Sequence, residues 1–237
     1  MALADRMLCA IPARAGSKRL PRKNLLQLAG KPMLAYSIEA AQNSKLFSSV
    51  YVCTEDEEIA AVARRFGAEV VYLMPAELCG DLVPSHAPCR HLARSLAEKG
   101  KHHDSLLCLQ PTSPLRSAED ILAGIERFAQ GDVDLVASGT PIDPHYFHWA
   151  MRKKDDGYFE MYFGDKFMVE RPLLPPVLRP NGSIKIANLK SLDETGNFFS
   201  KRFAVIETPE ERSVHVGNRF EFDVCDFLLR KAAHARA

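Results

Sequence analysis

Five cationic side chains, Arg14, Lys18, Arg19, Arg22 and Lys23, fall within ten positions of a 237-residue chain whose net charge is only +1. They follow an apolar run, Met7–Pro12, and are interleaved with the small residues Ala13, Ala15, Gly16 and Ser17. Small side chains let a backbone come close to a ligand, and main-chain N–H groups together with Arg and Lys meet the needs of a polyphosphate. Asn24 ends the segment with a group that both donates and accepts, as the edge of a base requires. The bland alternative is a solvated basic loop. The position directly after a buried strand, where phosphate sites gather, favours the ligand reading. Neither GxxxxGK[ST] nor GxGxxG is present, which disfavours a P-loop kinase or a dinucleotide dehydrogenase.

Composition narrows the class. Apolar residues make up 46% of the chain, enough for a full core without staples. The near-neutral charge argues against general nucleic-acid or membrane binding, since both usually need a basic surplus. No apolar run reaches the ~20 residues of a membrane span, and Met1–Arg14 lacks the pattern of a signal peptide. The six cysteines include no CxxC pair and no zinc-like spacing with histidine. Cys9, Cys53 and Cys108 each sit in a short apolar run and read as core residues in a reducing compartment. A cytoplasmic protein is expected.

Short apolar runs alternate with amphipathic ones. Strands are expected at Met7–Pro12, Val50–Thr54, Glu69–Leu73, Ser105–Gln110 and Asp134–Ser138. Helices are expected at Met33–Ser44, Glu55–Phe66, Ser85–Glu98 with Ser85 as N-cap, and Ser117–Ala129 behind a Ser-x-x-Asp start. This rhythm implies an α/β fold: three layers, α/β/α, around a mostly parallel, Rossmann-like sheet that binds ligands beyond its carboxyl ends. Between 140 and 180 the rhythm breaks into aromatics and then Pro172, Pro175, Pro176 and Pro180. That stretch reads as an insertion whose aromatics make a dimer contact. Strands at Ser183–Ala187, Ala204–Glu207 and Val214–Val216 follow. A last helix runs from Asn218 to about Ala233, with Phe220, Val224, Phe227, Leu228 and Lys231 at helical spacing. The whole of 1–237 is expected to form one domain.

Three motifs carry a family resemblance. Pro12-Ala13-Arg14, Ser17-Lys18, Lys23-Asn24 and Gly30-Lys31-Pro32 form the first, Leu109–Arg116 (LQPTSPLR) the second, and Arg179–Ile184 (RPNGSI) the third. In this order they resemble the acylneuraminate cytidylyltransferases, the CMP-sialic acid synthetases and their legionaminate and pseudaminate relatives. The resemblance runs over essentially the whole chain. It implies the nucleotide-diphospho-sugar transferase fold and transfer of CMP from CTP to the anomeric hydroxyl of a nine-carbon 2-keto sugar acid, with loss of pyrophosphate. It further implies Mg²⁺ or Mn²⁺ as cofactor and a homodimer. Such catalysis rests on positioning and charge neutralisation.

Residue by residue, the resemblance makes Arg14 and Lys23 the catalytic clamps on the triphosphate, with Ser17 and Lys18 in the same cradle. Ala13, Asn24 and Ser85 match positions around cytosine and ribose. Gln110, Pro111, Thr112 and Asn181 match the sugar-facing set, and Arg171 matches an arginine able to fork onto the substrate carboxylate. The bland readings are a turn and helix cap for 111–117, a turn residue for Asn181 and a surface ion pair for Arg171. His145 and Trp149 lie in the stretch that, in relatives, supports the partner's site.

Two departures stand out. Relatives carry an Asp-x-Asp-Thr that holds magnesium before the last helix. Here His215 and Gly217 take those places, with Asn218 as N-cap, so His215 is the remaining metal candidate. A rival alignment through Glu221 and Asp223 puts two residues on different faces of a helix. Magnesium prefers hard oxygen ligands. Triphosphate and water alone would then hold it, or Asp223 or Asp81 would reach in, or activity would be lost. The second departure is Met74, which replaces an arginine near the base. An eight-carbon 3-deoxy-manno-octulosonate-type cytidylyltransferase and a non-catalytic nucleotide-binding relative are the alternatives.

Overall fold

A computed structural model describes residues 3–198 and 202–234. In chain order it has β1 (Met7–Pro12), β2 (Gln27–Leu28), β3 (Lys31–Pro32), α1 (Met33–Asn43), β4 (Tyr51–Cys53), α2 (Glu57–Arg65), α3 (Ala87–Glu98), β5 (Ser105–Cys108), α4 (Ala118–Ala129) and β6 (Leu135–Ile142). Then come α5 (Pro144–His148), β7 (Met151–Lys153), β8 (Phe159–Met161), β9 (Val177–Asn188), α6 (Leu189–Thr195), β10 (Phe203–Glu207) and α7 (Arg219–His234). Six strands form the main sheet in the order β10-β6-β9-β5-β1-β4. β1 is parallel to β4 and β5, and β10 to β6, while β9 runs antiparallel between β5 and β6.

The alternation along β1 explains the layers. Met7, Cys9 and Ile11 point to one face, where they meet Leu34 and Ile38 of α1, Ile59 of α2 and Ile121 and Ile125 of α4. Leu8 and Ala10 point to the other, against Cys89, Leu92 and Leu96 of α3 and Leu192 of α6. Continuous apolar runs are what a sheet covered on both faces requires. A third cluster seats Phe222 and Cys225 of α7 on Leu20, Leu28 and Met33. All six cysteines are free thiols, and Cys9, Cys53 and Cys108 lie in the core as expected. No helix among the described residues is long and apolar enough to cross a membrane.

Helix starts follow local chemistry. Asp56 accepts from the Ile59 N–H at 2.9 Å to open α2, and Ser117 with Asp120 forms a complete capping box on α4. Asn218 and Glu221 do the same for α7: Asn218 Oδ1 accepts from the Glu221 N–H at 3.0 Å, and Glu221 Oε2 accepts from the Asn218 N–H at 3.0 Å.

The structure corrects several expectations. Glu69–Leu73 is not a strand; only Glu69 pairs, in a single bridge to Tyr51. Residues 214–216 form no strand and join no sheet. Ser85 caps nothing, because α3 begins after His86 and has no side-chain cap. The stretch outside the sheet is narrower than 140–180, since β6 runs on to Ile142 and pairs with β9 back to Val177. On α7 the core face is Phe222 and Cys225, while Phe220 and Phe227 are exposed.

One buried group ties the layers together. Arg116 has no acidic partner among the described residues. Its guanidinium donates to the Ser183 carbonyl on β9 at 2.6 Å, to Ser37 Oγ on α1 at 2.9 Å and to the Gln110 carbonyl beyond β5 at 2.8 Å. Burial pushes its pKa down to about 10, so it is still cationic at pH 7. Arg116→Ala would remove three hydrogen bonds from a buried node, and we expect it to lower the unfolding free energy by about 3 kcal/mol in chemical denaturation. Arg127→Ala, which removes an exposed pair with Asp132, should change it little.

Candidate active site

β1, β4 and β5 end together, and the loops beyond them frame a cleft of about 320 Å³. Ala13, Arg14, Ser17, Lys23, Asn24, Ser85, Gln110, Pro111, Thr112 and His215 all line it. Segments far apart in sequence thus converge on one site. The basic loop is fixed from below by main-chain bonds. The Ala13 N–H donates to the Cys53 carbonyl at 2.8 Å. The Ala15 N–H donates to Glu55 Oε1 at 2.8 Å, and Asn24 Nδ2 to the Arg14 carbonyl at 2.9 Å. Asn24 is therefore a buried strut of the loop as well as a cleft residue.

The cations are held ready. Arg14 Nη1 and Lys18 Nζ contact the two oxygens of Asp81 at 2.8 and 2.6 Å. Lys18 and Arg14 hold the Asp81 carboxyl below the usual carboxylate range. Lys18 lies outside the main cleft, in an adjoining hollow with Arg14, Ser17 and Asp81. Lys23 Nζ donates to the Val216 carbonyl at 3.2 Å. Burial, then the charges of Arg19 and Arg14, push its pKa down. Met74 is packed in the core against α3 and the sheet and does not line the cleft.

A second pocket of about 330 Å³ opens beside the first. It is lined by Arg19, Arg179, Lys185, Gln110, Gly182, Asn181, His215, Gly217 and Glu221. Gly182 has φ +70, and a Cβ there would meet Gln110 Oε1 at 2.6 Å, so only glycine lets this amide reach the boundary of the two pockets. Asn181 is almost fully buried. Its Oδ1 accepts from Ser138 Oγ at 2.5 Å and the Ser183 N–H at 3.1 Å, and its Nδ2 donates to Thr208 and Ser213 at 2.6 and 2.8 Å. The amide thereby holds β6, β9 and the 208–213 turn together. Arg171 stands apart from both pockets, exposed, with its guanidinium 3.1 Å from Asp143. Arg19 and Lys185 were not singled out as site residues by sequence; their charge gave a signal, but only folding places them around one pocket.

The donor set at 215–223 does not fit a resident magnesium ion. His215 offers an imidazole nitrogen and Gly217 no side chain. Glu221 Oε2 is already bonded to the Gly217 and Asn218 N–H groups at 2.6 and 3.0 Å. Asp223 pairs with Arg219 at 2.9 Å, and Asp81 with Arg14 and Lys18. Among the described residues no cluster of three His, Cys, Asp or Glu side chains is placed to hold a metal. A hard cation needs oxygen ligands that these residues do not supply.

The fold is thus a mostly parallel α/β sheet with a cationic cleft at its carboxyl edge, where ligands of such sheets bind. The chain belongs to the cytidylyltransferase family, whose model matches residues 8–154. It is 36% identical over 136 residues to a pseudaminic acid cytidylyltransferase of Campylobacter jejuni, a match covering 57% of this chain and 59% of that protein. It is 34% identical over 206 residues to a CMP-N,N'-diacetyllegionaminic acid synthase of Legionella pneumophila, covering 83% and 84% of the two chains. Its fold matches that of a CMP:2-keto-3-deoxy-manno-octonic acid synthetase complexed with CTP, with a TM-score of 0.74 at 16% identity over 96% of this chain and 99% of that one.

Two outcomes are expected from the site electrostatics. Asp81→Asn frees Arg14 and Lys18, and should tighten binding of inorganic triphosphate several-fold by calorimetry. His215 is half-buried, and burial followed by the charge of Lys23 pushes its pKa down to about 4. In the unfolded chain it titrates near its usual 6.5. The unfolded state therefore binds more protons between those values, and stability falls as pH drops from about 6.5 towards about 4, by at most about 3 kcal/mol. His215→Gln should flatten this acid limb in denaturation curves measured against pH.

Proposed function

We propose that this chain transfers CMP from CTP to the anomeric hydroxyl of a nine-carbon 2-keto sugar acid of the sialic, legionaminic or pseudaminic type, releasing pyrophosphate. The observation that carries the reading is the junction of two cationic pockets at Gln110 and His215. One carries Arg14 and Lys23, which supports a nucleoside triphosphate there. The other, ringed by Arg19, Arg179 and Lys185, suits a sugar carboxylate and hydroxyls. The names of the sequence relatives support the nine-carbon class.

In this reading Ala13, Asn24 and Ser85 hold the nucleoside, and Arg14, Ser17, Lys18 and Lys23 hold the triphosphate. Arg14 and Lys23 stabilise charge that builds on the phosphates during transfer. Gln110, Pro111 and Thr112 face the sugar, and Asn181 positions its pocket from beneath. Mg²⁺ or Mn²⁺ enters bound to CTP, as part of the substrate. Arg171, outside both pockets, would reach a sugar acid only from a partner protomer. Tyr146, Tyr158 and Phe159 in the 143–176 stretch are exposed, and we assign them to the contact of a cytoplasmic homodimer.

Incubation with CTP, Mg²⁺ and a panel of sialate, legionaminate, pseudaminate and 3-deoxy-manno-octulosonate tests the reading. Pyrophosphate should appear with a nine-carbon acid. Release with the eight-carbon acid alone would favour the other cytidylyltransferase class, and CTP binding without release would favour a non-catalytic relative. Lys23→Ala should lower kcat/KM by about 100-fold.

A further inference from the structure

This inference rests on the reading above, with CTP in one pocket and the sugar acid in the other. The reacting atoms must then meet where the pockets join, and Gln110 and His215 line both. His215 Nδ1 is turned towards Gly182, 3.5 Å from where a Cβ would stand. A neutral imidazole carries a lone pair on one of its two ring nitrogens.

The other groups around the two pockets are poorly placed to accept a proton. Glu221 caps α7 through Gly217 and Asn218. Burial, with Glu55 alongside, pushes the Cys79 thiol up to about 12. Arg14, Arg19, Lys23, Arg179 and Lys185 are cations.

We propose that His215 is the proton acceptor of the transfer, taking the proton of the anomeric hydroxyl as that oxygen bonds to the α-phosphorus. In the same step the bond from the α-phosphorus to the bridging oxygen breaks, and pyrophosphate leaves with the electron pair. The position that the family resemblance assigns to a metal carboxylate thus does proton transfer in this chain. In the ligand-free protein burial, and then the charges of Lys23 and Lys185, keep the ring neutral, with Glu221 opposing them and Arg19 and Arg179 lining the same pocket. A triphosphate on Lys23 offsets the charge part of that effect, which makes the ring a better proton acceptor once CTP is bound.

The test compares pyrophosphate release and CTP binding by the wild type, His215→Gln and His215→Ala. Both variants should lose about 100-fold or more in kcat, with CTP affinity within about two-fold. Added imidazole should restore His215→Ala, a response that a purely structural role would not give. Near-wild-type kcat in His215→Gln would overturn the proposal. So would loss of CTP binding in both variants, or rescue of His215→Ala by excess Mg²⁺ or Mn²⁺ instead of imidazole. A wild type that binds CTP but releases no pyrophosphate with any acid would overturn the functional reading itself, and this role with it.

Discussion

The site depends on one buried guanidinium. Arg116 bonds to β9, to α1 and to the chain beyond β5 at the same time. A charged group without a carboxylate partner is costly to bury, and it persists only when its donors are satisfied. Here two neutral carbonyls and a hydroxyl take one hydrogen bond from each guanidinium nitrogen, which fixes the main chain of Gln110 against β9. Because β9 also carries Arg179, Gly182 and Lys185, this contact sets the distance between the two pockets. The antiparallel insertion of β9 between β5 and β6 is what makes the arrangement reachable.

Around that frame, positive charge is abundant and free negative charge is scarce. Arg14 and Lys18 are balanced by Asp81, and Glu221 is bonded to main-chain N–H groups. An incoming polyphosphate would exchange one carboxylate for several phosphate oxygens, so preorganised cations meet it without large rearrangement. The cation set is supplied by the fold, whereas hard ligands for a resident metal are not. His215 is the group this arrangement leaves able to take a proton at the junction.

Much of this was legible in the sequence. β1 matched its expected bounds, since a fully buried strand leaves an unbroken apolar run. The Ser-x-x-Asp start of α4 and the Asn218 cap of α7 were readable because capping is local chemistry. The basic loop and the LQPTSPLR segment pointed to the cleft, and ten of the residues named from sequence converge there. Other features depended on contacts that no local pattern encodes. Glu69–Leu73 has strand-like composition but only one paired residue. The apolar spacing on α7 allowed more than one face, and packing on Leu28 and Met33 chose Phe222 and Cys225. Asn181 reads as a turn or ligand residue, yet its amide is a buried structural node. The meeting of Arg19 with Lys185 requires β9 to fold back beside the first loop.

The central claim is that two substrates meet between Gln110 and His215. The most direct measurement is a crystal structure of the protein with Mg²⁺ and CTP. The account predicts the β- and γ-phosphates on Arg14, Lys18 and Lys23, and the α-phosphate at the Gln110–His215 junction, facing the pocket of Arg19, Arg179 and Lys185. A triphosphate bound elsewhere, or an α-phosphate turned away from that junction, would contradict it.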